Sequence, residues 1–476
     1  MAKGHRCVVL EELLRVAGED PEVEVLEEGP PRVEPSFTGW PRPLDMWPLE
    51  MMLVERGWRP RAKVLRPLSR MAVARVVDMA SRLGACIAPR GGGSNVVGAS
   101  LPLPCCALLD LTGLDKVLDF SGEDLYIHVE AGARVWSVEE WLNQRGYTLG
   151  YHPQSIKLAT IGGSIAMLGS GSLAPGIGNI EDIVLWLDVA IPGMGLARLG
   201  SHTSPRGWTG PGVKHLLIGS EGGLGVIVSA GLRVRPLPRH LEARTYAFPS
   251  FSNAMSAARE AALWGVARML RVVDPSESPL YGAEGALLLA EVEAPGNGLL
   301  SSQLSYLDSL ASRHGGERVE GVYERWISSR HGYDSYLREL WSMGLWVDTI
   351  DTAAMWSKVA LLNEELKRSL SRVPGVVMVM SHSGHIYPSG ASLYHTVVME
   401  RRLDTYWRVW TTAAEVTRRI GASFTHQHGW GMLRKHGLDM LGDNYRVYCR
   451  VKEALDPGWS LNPLGLPSRC QRSGEG

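Results

Sequence analysis

The sequence contains no GxxxxGK[ST] run, which excludes a P-loop nucleotide site. Its nearest GxGxxG-like pieces, GSGSLA and GMGLAR, lack the final glycine and do not open a helix within a βαβ unit. A Rossmann dinucleotide site is therefore poorly supported. No stretch reaches the roughly 18 uninterrupted apolar residues of a membrane-spanning helix. The basic and apolar start is broken by Glu11 and Glu12, which argues against a secretory signal. A cytoplasmic chain, at most peripheral to a membrane and without a transmembrane span, is expected. The formal net charge of −1 gives no electrostatic reason to expect nucleic acid. Cys7, Cys86, Cys105, Cys106, Cys449 and Cys470 form no CxxC pair, so zinc-ribbon, iron–sulfur and redox-motif spacings are missing. The adjacent Cys105 and Cys106 are expected to be partly buried small apolar residues rather than disulfide cysteines.

What is present is a long globular chain rich in glycine. Its 476 residues suffice for two or three domains, and 45% hydrophobic with 21% charged residues is ordinary for a soluble protein. Residues 1–60, rich in Pro and Glu, read as an N-terminal extension packed on the body. From 61 to 238 short strands (VLRPLS, CIAPR, ALLDL, LYIHVEA, DIVLWLDVAI, GVIVSAGLRV) alternate with helices such as MAVARVVDMASRLG, which Gly84 ends. From 239 to 440 the strands GALLLAEVEA, VVMVMSHSG and ASLYHTVVM alternate with amphipathic helices, an α+β second domain. Residues 441–476 read as one helix and a loop.

Four glycine-bearing segments carry chemistry: APRGGGSNVVG, LATIGGSIAMLGSGSLAPGIGNIEDIV, TGPGVKHLLIGSEGGLGVI and LDPGWSLNP. Glycine at a strand end lets backbone approach a ligand closely and leaves N–H groups free to hold phosphate oxygens. Each segment taken alone is as well explained by a tight turn.

Taken in order, the four resemble the vanillyl-alcohol-oxidase-like flavoproteins, the FAD-linked oxidase and transferase family, over residues 60–465. The resemblance implies an α+β fold: a two-subdomain FAD-binding domain of the PCMH type, an α+β cap over the flavin, and a C-terminal segment returning to it. It implies FAD, bound non-covalently because the first glycine loop carries no His. The implied cofactor residues are Arg90, Gly91, Gly92, Gly93, Ser94 and Asn95 in the first loop, and Pro153, Thr160, Gly162, Gly163 and Ser164 in the second. Asn179, Glu181 and Asp182 follow in GNIEDIV, Glu221, Gly222 and Ile227 in the closing segment, and Asn462 in the C-terminal return.

Two branches of that family compete, and fold does not choose between them. SHSGHIYPSGASLYH and THQHGWGMLRK resemble the alkylglycerone-phosphate synthase branch, which exchanges an acyl for an alkyl group at the flavin without net oxidation. The alternative is a D-2-hydroxy-acid dehydrogenase of the D-lactate or glycolate type, with a dye or quinone as external electron acceptor. Its metal-dependent members carry GHxGDGNxH and Glu-His-Gly, whereas this chain has no Asp-Gly-Asn and has Gln427 in place of the glutamate. Gln427 brings no carboxylate to a divalent ion, so no metal is expected.

The synthase branch has three consecutive histidines where this chain has His426-Gln427-His428. The resemblance makes His428 the expected base, with His426 beside it, and Tyr394 a catalytic tyrosine assisting proton removal. Arg338 matches an arginine that contacts the acidic part of the substrate. Arg271 matches an arginine near the active face, with an ion pair to Asp274 as its alternative. The expected partner is a small substrate bearing a carboxylate or phosphate; a homodimer stays open. A flavin-binding protein without turnover is disfavoured by the joint presence of His428, Tyr394 and Arg338.

Overall fold

The computed structural model describes residues 3–26, 63–101, 105–204, 210–330, 339–462 and 470. Arg338 lies outside them.

The first sheet has four strands in the order Val23–Leu26, Val64–Pro67, Cys106–Asp110, Cys86–Arg90. The last three run parallel, and Val23–Leu26 adds antiparallel. The stretch read as an extension thus supplies an edge strand, and its helix Lys3–Ala17 packs on the helix Arg70–Leu83. That second helix forms because its apolar residues recur at helical spacing, burying Val73, Val76, Val77 and Ala80. Ser69 caps its start by accepting the N–H of Ala72 at 3.1 Å, and Gly84 ends it in the left-handed region at φ 68°.

The parallel pairing corrects one expectation. Cys86 and Cys106 are partners in register, and they form a disulfide. Cys105 bonds to Cys7 of the first helix, and Cys449 to Cys470. Cys105 and Cys106 are therefore disulfide cysteines, each joined to a distant strand or helix rather than to its neighbour. Their linear spacing carries no trace of that pairing.

The second sheet is antiparallel: Val117–Ser121, Tyr126–Glu130, Val226–Arg233, Val184–Ile191, Gly195–Gly200. Two of its three inner strands, Val184–Ile191 and Val226–Arg233, are buried almost throughout, which is why their sequences read as continuous apolar runs. The second glycine segment, read as a loop, instead contains a short helix, Ile161–Ala166, with Thr160 accepting the N–H of Gly163 at 3.3 Å.

The third sheet has seven antiparallel strands: Glu317–Arg318, His240–Phe248, Ala286–Ala294, Met269–Val273, Val376–Ser383, Gly390–Glu400, Leu345–Met355. The helices Phe251–Leu263, Asn297–Arg313, Trp356–Leu370 and Leu403–Ile420 pack against it in one large core. Small residues at Ala254, Ala257, Ala258 and Ala261 let the first of these helices lie close to the sheet. Leu173, ahead of this sheet in the chain, packs with its Met269, Val273 and Leu287. Four of the sheet's strands are not among those read from the sequence: the short Glu317–Arg318 and Met269–Val273, and a long pair, His240–Phe248 and Leu345–Met355. Charged residues interrupt both, and in the second the buried Asp348 and Asp351 hide the strand signal.

The C-terminal helix Asp443–Leu455 is followed by the expected return. Ile87 and Leu461 form a parallel bridge, extending the first sheet beyond Cys86–Arg90. Lys452, wholly buried, donates to Asp456 and to the carbonyls of Gly223 (2.7 Å) and Leu461 (2.9 Å). Burying an ammonium is costly unless it is paired and hydrogen-bonded, and here both conditions are met.

Candidate functional site

A cleft opens where the two glycine segments meet. Arg90, Gly91, Gly92, Gly93, Ser94, Asn95, Thr160, Gly162, Gly163, Glu221, Gly222 and Ile227 all line it, as do Ala99, Ser100, Met167 and Gly225, which sequence reasoning did not single out. Close approach of the segments explains the glycines locally: a Cβ on Gly92 would stand 1.7 Å from the carbonyl oxygen of Leu158, and one on Gly91 2.0 Å from Oγ1 of Thr160. Gly93 adopts φ 70°, the left-handed region. Among the described residues, the N–H groups of Gly91, Gly92, Gly93 and Ser94 meet no hydrogen-bond acceptor. Four successive free donors at a strand end suit an anion such as the FAD diphosphate.

Six of the expected cofactor residues do not line this cleft. Asn462 braces it from behind, its side-chain amide donating to the carbonyls of Ala99 (2.8 Å) and Glu221. Pro153 accepts the N–H of Ile156 at 3.1 Å in a turn, and Ser164 is buried in the helix Ile161–Ala166. Asp182 accepts the N–H of Asn179 at 2.8 Å. Burial raises the Glu181 carboxyl above the usual range. Asn179 turns away toward a second cluster.

That cluster forms at the cap. Asp351, fully buried in its strand, accepts the N–H groups of His426 (2.9 Å), Gln427 (3.1 Å) and His428 (3.3 Å), and it pairs with Arg434. The His-Gln-His segment is thus wrapped around one carboxylate. From the side of the glycine cleft, Asn95 donates to the carbonyl of His428 at 3.1 Å, and Glu221 accepts the N–H of Trp430 at 2.6 Å. A Cβ on Gly429 (φ 77°) would meet Met167 at 2.3 Å. The loop is therefore fixed to both halves.

Within it, Nδ1 of His428 lies 3.3 Å from the Asp351 carboxylate, and its ring stands edge-on to Tyr394 at 5.9 Å. The hydroxyl of Tyr394 meets Nδ1 of His426 at 3.1 Å instead. On its other side, Nε2 of His426 meets the hydroxyl of Tyr387 at 2.9 Å. His426 stacks on His385 at 4.7 Å, and His382 on Tyr394 at 5.1 Å. Burial pushes His426 down to about 3 and His385 well below its ordinary value, so both imidazoles are neutral at pH 7. Burial also pushes the Tyr387 phenol up to about 12.

Positive charge sits alongside. Arg271 pairs with Glu277 at 3.0 Å, not with Asp274, which accepts from Lys367. Glu277 also holds His382 at 2.8 Å. Burial alone would raise Glu277, yet His382 and Arg271 more than offset it and keep the carboxyl down at about 2. Arg330, which the sequence did not flag, donates to the carbonyl of His152 at 2.5 Å. Its guanidinium and that of Arg271 lie 5.5 Å and 5.7 Å from the Trp326 ring. Burial, and then the charge of Arg271, lower Arg330 to about 10.

Among the described residues there is no group of three His, Cys, Asp or Glu able to hold a metal, and no helix long and apolar enough to cross a membrane. Gln427 accepts the N–H of Ser170 at 2.8 Å through its side-chain oxygen.

Known proteins resemble this one over most of its length. An alkyldihydroxyacetonephosphate synthase from Caenorhabditis elegans is 26% identical, covering 86% of this chain and 76% of its own. The Dictyostelium discoideum enzyme of that name is 25% identical over 85% and 72%. A mitochondrial D-lactate dehydrogenase [cytochrome] from Arabidopsis thaliana is 25% identical over 84% and 72%. In three dimensions, an alkyldihydroxyacetonephosphate synthase structure superposes with a TM-score of 0.72 at 23% identity, covering 87% of this chain and 79% of its own. p-Cresol methylhydroxylase gives 0.73 at 14%, over 98% and 97%. Residues 61–198 match an FAD binding domain and 237–465 the C-terminal domain of FAD linked oxidases. The chain belongs to the FAD-linked oxidase family and is an FAD-dependent enzyme.

Proposed function

We propose that this enzyme resembles alkylglycerone-phosphate synthase in its chemistry, exchanging a group on a small substrate with an anionic head at the N5 position of the flavin. The single observation carrying the reading is the hydroxyl–imidazole contact of Tyr394 and His426 beside two arginines. A buried phenol and a neutral imidazole in contact are a proton-moving pair, and paired guanidinia on one ring suit a phosphate or carboxylate.

In this reading the N–H groups of Gly91, Gly92, Gly93 and Ser94 hold the diphosphate of non-covalently bound FAD, and Arg90 adds charge. Bound FAD supplies an electron-accepting ring. Arg271 and Arg330 orient the anionic head, and Tyr394 with His426 takes the substrate proton. His428, turned toward Asp351, fixes the loop and closes one side against water. Gln427 serves as an amide, since its oxygen already accepts a backbone N–H.

The likeness to a D-lactate dehydrogenase supports a second reading, oxidation of a D-2-hydroxy acid with an external acceptor. One anaerobic experiment separates the two. Purified flavoprotein is mixed with an acylated dihydroxyacetone phosphate and a labelled fatty alcohol, or with D-lactate and a dye. Incorporation of label without acceptor supports exchange. Bleaching of the flavin by D-lactate with dye reduction, and no incorporation, overturns it.

A further inference from the structure

Asn179 was expected at the cofactor, but its side chain is the hub of a hydrogen-bonded chain in the cap cluster. Its amide oxygen accepts two hydroxyls, from Tyr387 at 3.1 Å and from Ser170 at 2.5 Å. A carbonyl oxygen only accepts, so each hydroxyl has spent its proton on Asn179 and offers its remaining neighbour an acceptor. Tyr387 must therefore receive the proton of His426 Nε2, 2.9 Å away. That leaves Nδ1 of His426 bare, and the hydroxyl of Tyr394 donates to it across 3.1 Å. By the same logic Ser170 receives the proton of His385 Nδ1 at 2.9 Å. The two stacked imidazoles carry their protons on opposite nitrogens.

We infer that Asn179 and Tyr387 are positioning residues: through one amide oxygen they fix the tautomers of His426 and His385, and so aim Tyr394 to act as a base on the substrate.

The surroundings of Tyr394 agree. The oxygen of Gln427 is held by the N–H of Ser170, which turns its amide nitrogen, a donor, toward the cluster. Ser392 accepts the N–H of His385 at 3.2 Å, leaving its own proton to give. Burial, and then the neighbouring Tyr387, raise the Tyr394 phenol well above its ordinary value, and the hydrogen bonds of Ser392 and Gln427 work against that rise. Gln427 and Ser392 are thus set to donate to that oxygen, and His426 is set to receive from it. As the substrate's proton reaches the Tyr394 oxygen, the phenol's own proton passes to Nδ1 of His426. No electrons are exchanged by these groups, and the reverse movement returns the proton. A glutamate at 427 would have no proton to give the phenolate, which accounts for the amide at this position.

The catalytic consequence rests on the proposed exchange reaction; the placement of the protons does not. The test therefore reads the tautomers directly in 15N-histidine-labelled holoenzyme, by long-range proton–nitrogen correlation. His426→Gln and His385→Gln identify the two signals. The expected result is a proton on Nε2 of His426 and on Nδ1 of His385. Asn179→Asp keeps an acceptor and keeps both tautomers, whereas Asn179→Leu gives mixtures of both. Tyr387→Phe disturbs His426 alone, and provides the test should Asn179→Leu fold poorly. Any other tautomer in the wild type, or unchanged tautomers in both Asn179→Leu and Tyr387→Phe, overturns the inference. In turnover, Asn179→Leu lowers kcat by about 10- to 100-fold with FAD retention unchanged, and Asn179→Asp keeps kcat within about 10-fold of wild type. Correct tautomers without exchange activity on the acylated probe would count against the proposed reaction and leave the proton assignment standing.

Discussion

The glycine cleft and the cap cluster are built from different materials. The cleft is made of backbone: its donors are N–H groups, and its glycines stand where a Cβ has no room. The cluster is made of side chains brought from Arg271, Arg330, Asp351, Tyr394 and His426, which are far apart in the chain, and organised by buried carboxylates. The cleft is suited to holding a large invariant ligand, and the cluster to moving charge. Retention of the flavin and turnover should therefore fail separately.

The largest effect is expected at the carboxylate that organises the cluster. Asp351→Ala leaves the Arg434 guanidinium buried without its partner and three loop N–H groups without an acceptor. A loss of about 3–5 kcal/mol in denaturant unfolding is expected. A loss under about 1 kcal/mol would break the claim that the loop is built around it. Next comes the cleft. Gly92→Ala puts a methyl 1.7 Å from a carbonyl oxygen, so the two segments must part. The ratio of flavin to protein absorbance after desalting should fall close to zero, and an unchanged ratio would dissolve the contrast with the cluster. Tyr394→Phe should do the opposite, keeping that ratio and lowering turnover at least about 100-fold.

The smallest effect is graded. Burial lowers His426 and His395 to about 3 each, against about 6.5 in an unfolded chain. The unfolded state then binds more protons than the native state below pH ~6.5. Stability from these groups is whole above that value and falls as pH drops toward 3, by up to about 1.4 kcal/mol per pH unit for each histidine. Unfolding at pH 7 and pH 5 checks it: His395→Gln, whose side chain meets Asn363 rather than the loop, should lose less between the two than wild type.

The same difference of materials decides how much was legible in the sequence. GGGSN, IGGSIA and SEGGLG announce the cleft because tight backbone contacts admit little but glycine, and twelve of the twenty residues that line it were named. The cluster was visible only in part. His426, His428 and Tyr394 stand in recognisable strings, but that Tyr394 contacts His426 rather than His428 depends on how the loop wraps Asp351. Asp351 itself lies in a strand that was not read from the sequence, because the buried carboxylates hide its apolar pattern. Asn179 sits beside the acidic residues of GNIEDIV and was expected at the flavin, with nothing in that string to point to Ser170 or Tyr387. Arg330 had no motif, and the cysteine pairs depend on tertiary packing, in strand register for Cys86–Cys106 and on helices for the other two.

The bridge between Ile87 and Leu461 has a consequence for synthesis. A nascent chain that has emerged as far as Leu455 already carries both glycine segments and all seven strands of the third sheet. It still lacks the backbone at 460–462 that hydrogen-bonds Ile87 on both sides, and the Asn462 amide behind the cleft. The glycine cleft begun at Arg90 is braced only by residues translated after the whole of the third sheet. Flavin fluorescence acquired on a stalled ribosome should therefore appear only once residue 462 has left the exit tunnel.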